Sequence, residues 1–298
     1  MNDSTRSDNN QDAGRNLENF RQEVKVAPKG VLDPALAAQR FRLARYPPAA
    51  ALSGFIEHFW IVEWDRRGQE PHVQKTLPYP CVQLVFDTGQ TAIFGVMRGS
   101  FERQIEGAGR VLGVRFRPGG FRGVLGGSVA TITDRVVPVS SVYEFNADAA
   151  EAEVLSAAGD QGMVEVAERF LLTRIPPPDE TVDLVHGIVE RIANDRTLNR
   201  VDELAAQVSL GERALQRLFN DYVGVAPKWV IRRSRLHDAA ARLANAEEVN
   251  LTHLAAELGY SDQAHFARDF KALVGRSPSD YRRSTSAGPG GESSGNPR

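Results

Sequence analysis

Residues 254–278 read LAAELGYSDQAHFARDFKALVGRSP, and residues 204–227 read LAAQVSLGERALQRLFNDYVGVAP. The second stretch quoted is an earlier copy of the first. Its leading residues superpose at an offset of 50 and its trailing residues at 51, so Leu215, Phe219, Gly224 and Pro227 meet Phe266, Phe270, Gly275 and Pro278. In copy one, Val201, Leu204, Ala205 and Val208 fall at i, i+3, i+4 and i+7, and Leu215, Leu218, Phe219 and Tyr222 repeat that spacing after a short break. Such periodicity predicts two short amphipathic helices packed across a tight turn. In copy two, Leu251, Leu254, Ala255 and Leu258 form the first stripe, and Phe266, Phe270 and Leu273 form the second. Gly259 sits where the turn requires a positive φ, and Ser261 is placed to cap the helix that follows. Between the copies, Pro227 suits a first helical position, and Trp229, Leu236, Ala240 and Leu243 make the stripe of a connecting helix reaching about Asn245.

A helix whose first turn and outer face carry long donors fits the major groove of DNA, about 12 Å wide, and reads base edges there. Outward of the apolar stripes lie Glu212, Arg213, Gln216, Arg217 and Asn220 in one copy, and Asp262, Gln263, His265, Arg268 and Lys271 in the other. Arginine reads guanine and glutamine reads adenine in bidentate fashion. The same side chains also suit a solvated face with internal ion pairs, such as Arg268 with Asp262. The equivalence of Arg217 and Arg268 at the offset of 51 favours base reading.

From about Val182 to Arg283 the chain resembles the AraC/XylS family of bacterial transcription regulators. The second copy carries most of the likeness, through Gly259, Phe266, Arg268, Phe270, Lys271, Gly275, Pro278, Tyr281 and Arg282. The resemblance implies that Arg213, Gln216 and Arg217 face bases in one groove and that Gln263, Ala264, His265, Ala267 and Arg268 lie at the next. Backbone contacts are expected from the helix starts at Gly211 and Ser261 and from Lys228, Arg232, Arg233 and Lys271. Copy one departs from the family pattern, with Ser209 in the turn and Gly211 at the cap. Arg235 stands beside the apolar stripe of the connecting helix, placed either to hold that helix to a neighbour or to join the backbone-contacting cations.

Outward from the repeat, charge is unevenly spread along the 298 residues. The formal net charge is only -2, but residues 136–195 hold 12 acidic against 3 basic side chains, and residues 196–283 hold 14 basic against 11 acidic. The overall value therefore conceals a basic C-terminal part. The acidic segment reads as helix from about Glu144 to Arg174, and Pro176, Pro177 and Pro178 break it. Upstream, HFWIVEW, HVQKTLPYP, CVQLVFD, TAIFGVM and RVLGVRFRP predict short strands between residues 45 and 135. That region resembles the N-terminal domain of a subset of AraC-like regulators, which implies a small β-barrel that senses a ligand or mediates dimerisation.

Within this N-terminal part, Trp60, Trp64, Phe94, Arg115 and Arg117 form a candidate ligand pocket, with aromatics to pack a ligand and arginines to clamp an anion. The alternative is that the aromatics are core and the arginines outward strand residues, since Arg115 and Arg117 alternate with Val114 and Phe116. His58 and His72 lack metal-ligand spacing, so no metal or other cofactor is expected. The single cysteine, Cys81, excludes an internal disulfide framework and a multi-thiolate zinc site. A methyl-accepting cysteine, as in DNA-repair alkyl transferases with related helix-turn-helix domains, is disfavoured because Val82 and Gln83 follow Cys81 in place of the histidine and arginine such enzymes carry. No Rossmann, Walker or nucleophile-elbow motif is present, so the reading is not that of an enzyme.

The expected fold class is an α+β multidomain protein: an N-terminal β-barrel-like domain, then helices, then an all-α domain of two helix-turn-helix units joined by a long helix. Expected boundaries are a disordered tail at 1–25, a β-rich regulatory domain at 26–142, and an acidic helical linker or dimerisation segment at 143–178. A DNA-binding domain follows at 179–283, with its units at 201–222 and 251–274, and then a tail at 284–298. The corresponding function is a cytoplasmic one-component transcription regulator of the activator type. Expected partners are double-stranded DNA, a small-molecule effector, RNA polymerase and a second copy of the chain, with no membrane. The competing reading is a protein-interaction scaffold with a helical adaptor domain.

Overall fold

The computed structural model describes residues 22–24, 30–245 and 249–286. Helix α1 (Pro34–Arg40) opens the described fold, with proline at its start. Strands β1 (Arg42–Tyr46), β2 (Ile56–Arg66), β3 (His72–Thr76), β4 (Gln83–Phe86), β5 (Ala92–Phe94), β6 (Phe101–Ile105) and β7 (Gly107–Phe116) follow. Helix α2 (Phe121–Leu125), a 3₁₀ turn at Val129–Ile132 and the two-residue strand β8 (Val136–Val137) complete this part. Six strands pair antiparallel in the order β1-β2-β7-β4-β5-β8, while β3 and β6 form a separate two-stranded ribbon.

The sheet is open, which corrects the barrel-like expectation: among the described residues its edges β1 and β8 do not pair with each other. Closure needs long, strongly staggered strands, and β5 and β8 have only three and two residues. Side-chain alternation gives the sheet two apolar faces. On one, Phe59, Ile61, Leu84, Phe86, Leu112 and Val114 are all within 1% of full burial. Helices α3 (Ala147–Ser156) and α4 (Gly159–Leu171) cover this face through Ala150, Val154, Met163, Val164 and Leu171. The acidic helices thus belong to the core of the sheet, with most of their charge on the outside and Glu168 buried, where it accepts from Ala49 N at 2.6 Å.

Helix α5 (Glu180–Asn194) starts after the prolines, its first turn capped by Asp179, which accepts from Thr181 N at 2.9 Å. Then come α6 (Val201–Gln207), α7 (Glu212–Tyr222), α8 (Pro227–Asn245), α9 (Leu251–Glu257), α10 (Gln263–Val274) and α11 (Pro278–Ser286). Helices α6–α7 and α9–α10 form the two helix-turn-helix units, and α8 joins them. Pro227 and Pro278 begin α8 and α11 at the repeat offset of 51, so the duplication extends into the helix after each unit.

Two cores result. One runs without interruption from the sheet through α5 into α6, α7 and the start of α8. The other gathers Leu236, Leu243, Phe266, Phe270 and Tyr281 around the second unit and takes in Leu32 and Leu77 from the N-terminal part. The expected tails fall mostly on residues 1–21, 25 and 287–298, outside the described residues. Where they are described they are ordered: Val24 N donates to Arg45 O at 2.9 Å, and α11 continues to Ser286.

Candidate nucleic-acid interface

The strong amphipathicity of α7 sets its orientation. Leu215 and Phe219 are fully buried, which leaves Arg213, Gln216 and Arg217 exposed. Among the described residues, no hydrogen bond or ion pair occupies those three side chains. Gly211 is the N-cap, with extended backbone at φ -70° and ψ 147°, so the first amides of α7 face outward without a side-chain cap. At the other end the helix is held: Thr133 Oγ1 donates to Gly224 O at 2.7 Å, and Arg122 Nε reaches Asp221 Oδ2 at 3.2 Å.

Helix α10 repeats the arrangement. Phe266 and Phe270 are fully buried, and Gln263, Ala264, His265 and Arg268 are exposed. Its cap is Asp262, whose Oδ1 accepts from His265 N at 2.7 Å. This corrects the assignment of the cap to Ser261, whose hydroxyl instead lies 3.2 Å from Asp262 Oδ2. Asp262 matches Gly211 at the offset of 51, so the two caps are equivalent. Gln263 and His265 are partly engaged already: Thr252 Oγ1 donates to Gln263 Oε1 at 2.8 Å, and His265 lies 3.8 Å from Asp269.

The family described as "Helix-turn-helix domain" matches residues 204–284. The XylDLEGF operon transcriptional activator 1 of Pseudomonas putida is 32% identical over 102 residues, which is 34% of this chain and 30% of that one. An uncharacterised HTH-type transcriptional regulator of Haemophilus influenzae is 32% identical over 100 residues, 34% of this chain and 32% of that one. A solved transcriptional regulator of the AraC-type group from Chromobacterium violaceum is 26% identical, with TM-score 0.30, over 37% of this chain and 92% of that one. The C-terminal part of the chain is an AraC-type helix-turn-helix domain. Residues 44–138 match a separate family, a domain of unknown function named DUF6597. The chain spans about a third of the length of the curated relatives it matches.

Within the AraC-type domain, the expected backbone cations divide. Lys228 and Lys271 are exposed. Arg232 is exposed but paired with Asp269 of α10, so it ties the connecting helix to the second unit. Arg233 is a correction: it is 3% exposed, stacks on Trp229 at 4.6 Å, and donates to Arg98 O at 2.5 Å. A side chain enclosed between α8 and the β5–β6 loop cannot reach a phosphate. Arg235 is also buried, and donates to Asp195 O at 2.6 Å, Leu198 O at 2.7 Å and Asn199 Oδ1 at 3.2 Å. It pins α8 to the loop between α5 and α6, satisfying carbonyls that helix ends leave open.

The second face of the sheet, away from α3 and α4, bounds a cavity of about 350 Å³ that the β3–β6 ribbon covers. Trp60, Trp64, Phe94 and Arg115 line it, and Arg117 does not. Strand β7 ends at Phe116, so the alternation that placed Arg117 beside Arg115 no longer applies; Arg117 instead pairs with Asp183 of α5 at 2.9 Å. Arg45 and Arg103 are the other arginines of the cavity lining, Arg45 brought in from β1 by pairing across the sheet. Its alternation with buried Ala44 and Tyr46 is the sequence signal that could have found it. Cys81 also lines the cavity, and burial pushes its thiol up to about 11, far from a reactive thiolate.

Proposed function

We propose that this protein is a sequence-specific DNA-binding transcription regulator whose two helix-turn-helix units each place one helix in a major groove. The observation that carries this reading is the pair of equivalent exposed faces on α7 and α10, each backed by two buried ring or leucine anchors and preceded by an outward-facing helix start. Arg213, Gln216 and Arg217 read bases in one groove, and Gln263, His265 and Arg268 read the next. The uncapped helix start at Gly211, the Ser261 hydroxyl just before α10, Lys228 and Lys271 hold the phosphate backbone. Kinship with activators of operons supports an activator that meets RNA polymerase, acts in the cytoplasm and is not an enzyme. The cavity under the β3–β6 ribbon is the effector site, and a second copy of the chain is a further partner.

Selection of a randomised duplex pool on the full-length protein tests this. Two enriched blocks with centres about 10 bp apart are the expected result, with affinity that falls steeply as salt rises. Binding with no sequence preference at any salt concentration would refute base reading, and no DNA binding at all would favour the protein-interaction scaffold.

A further inference from the structure

The glycines that follow the two recognition helices are equivalent at the offset of 51 and share one conformation: Gly224 after α7 has φ 87° and Gly275 after α10 has φ 88°. Each is packed against the N-terminal part of the chain. A Cβ on Gly224 would come 2.6 Å from Thr133 Oγ1 and 3.1 Å from the Val129 carbonyl carbon. A Cβ on Gly275 would come 3.1 Å from Lys75 Nζ of β3. The N-terminal part therefore meets the same corner of both units, although it does so with unrelated segments.

At the α7 corner, Thr133 Oγ1 donates to Gly224 O at 2.7 Å and Ser128 Oγ to Asn220 O at 3.3 Å. Arg122 reaches Asp221 and lies over the Tyr222 ring at 5.3 Å. Carbonyls in the last turn of a helix have no partner within it, so donors from outside fix that end. Beneath them, Val129 belongs to the same core as Phe219 and Val223. At the α10 corner, Arg276 directly after Gly275 pairs with Asp33, whose amide donates to Tyr281 Oη at 3.3 Å. Leu32 and Leu77 join Phe270 and Tyr281 in the core below.

Both corners lie at the far ends of the recognition helices from the residues placed to read bases, which are exposed in and after the first turns of α7 and α10. Holding a helix at one end sets where its other end points. Helix α7 has 11 residues and is about 16 Å long, so a tilt of about 5° at the corner carries its first turn about 1.4 Å. Binding groups need to be held to about 0.5 Å. The connecting helix passes from one core to the other between Ile231 and Leu236, and the N-terminal part contributes to both cores.

From this geometry we infer that the N-terminal domain is a brace for DNA reading: it holds α7 and α10 at equivalent corners, and Arg122, Thr133 and Asp33 are positioning residues that fix the separation of the two reading faces. The inference rests on both helices entering grooves, and it adds what sets their spacing.

The test uses full-length protein and fluorescence anisotropy on the selected duplex and on duplexes with one base pair added or removed between the two blocks. One base pair moves a block by about 3.4 Å and turns it by about 34°. Wild-type protein is expected to lose at least about tenfold in affinity on either altered duplex. Arg122→Gln/Thr133→Val frees the α7 corner, and Asp33→Asn frees the α10 corner with a residue that tolerates the left-handed φ of 52° found there. Each variant should cut the spacing penalty to less than about threefold and leave affinity for a scrambled duplex unchanged. The conservative pair Arg122→Lys/Thr133→Ser, which keeps both donors, should retain the wild-type penalty; a penalty lost there too shows general loosening and overturns the positioning role. An undiminished penalty in the folded Gln/Val and Asn variants overturns the brace, as does wild-type protein that binds all three duplexes equally. A second readout needs no DNA. Spin labels on Glu212→Cys and Ala264→Cys, both exposed sites in a chain whose own Cys81 is buried, should give a narrow distance distribution by double electron–electron resonance. The freed corners should broaden it, and equal widths refute the brace. Were no duplex sequence preferred, the regulator reading would fail while the distance measurement still decided the brace.

Discussion

Ser209 and Gly259 occupy the same left-handed turn position in the two helix-turn-helix units, at φ 54° and 75°. Only the second unit has the residue that this conformation favours. A side chain in the left-handed region costs about 1 kcal/mol, so Ser209→Gly should stabilise the protein by about that amount in urea unfolding. Gly259→Ala should do the reverse and more, because its Cβ would come 2.5 Å from the Asn199 side chain that Arg235 uses as an acceptor.

Arg217 and Arg268 are equivalent and exposed, so their removal separates reading from folding. Arg217→Ala and Arg268→Ala should each weaken binding to the selected duplex by about 1–3 kcal/mol. Melting temperature and non-specific affinity should hardly change. Fluorescence anisotropy against selected and scrambled duplexes measures both, and a uniform loss on the two duplexes would reassign the arginine to the phosphate backbone.

Arg235 predicts a different outcome. Its guanidinium is buried among two carbonyls and Asn199, and Arg235→Met would leave those acceptors without a donor. A loss of about 3 kcal/mol in unfolding free energy is expected. DNA affinity per folded molecule should fall as well, because the angle between α8 and the first unit is no longer held.

Acid titration probes Glu57. Burial by itself would raise this carboxyl, but the hydrogen bond with His58 and the Arg115 charge bring it down from 4.5 to about 2. A carboxyl lowered on folding adds stability that is fully present above its unfolded value and is lost as pH falls through its folded value. Wild-type protein should therefore exceed Glu57→Gln in stability by about 3 kcal/mol above pH 4.5, and the gap should close as pH approaches 2. Urea unfolding across that range measures the gap; one that stays constant would show that Glu57 is not the titrating group.

The repeat, the helices of each unit, the connecting helix and their exposed polar faces follow from the sequence alone, because helical periodicity is local and a duplicated pattern checks itself. Tertiary structure decided what depends on residues far apart in the chain. Arg232, Arg233 and Arg235 are indistinguishable as letters in one basic run, yet one pairs with Asp269, one is enclosed against the Arg98 carbonyl, and one holds the α5–α6 loop. In the cavity, Arg45 stands where the candidate pocket had Arg117, since β7 ends one residue before Arg117 and β1 enters the sheet beside β2. Strand order and the choice of partner across a sheet arise from packing between distant segments, and no local pattern encodes that.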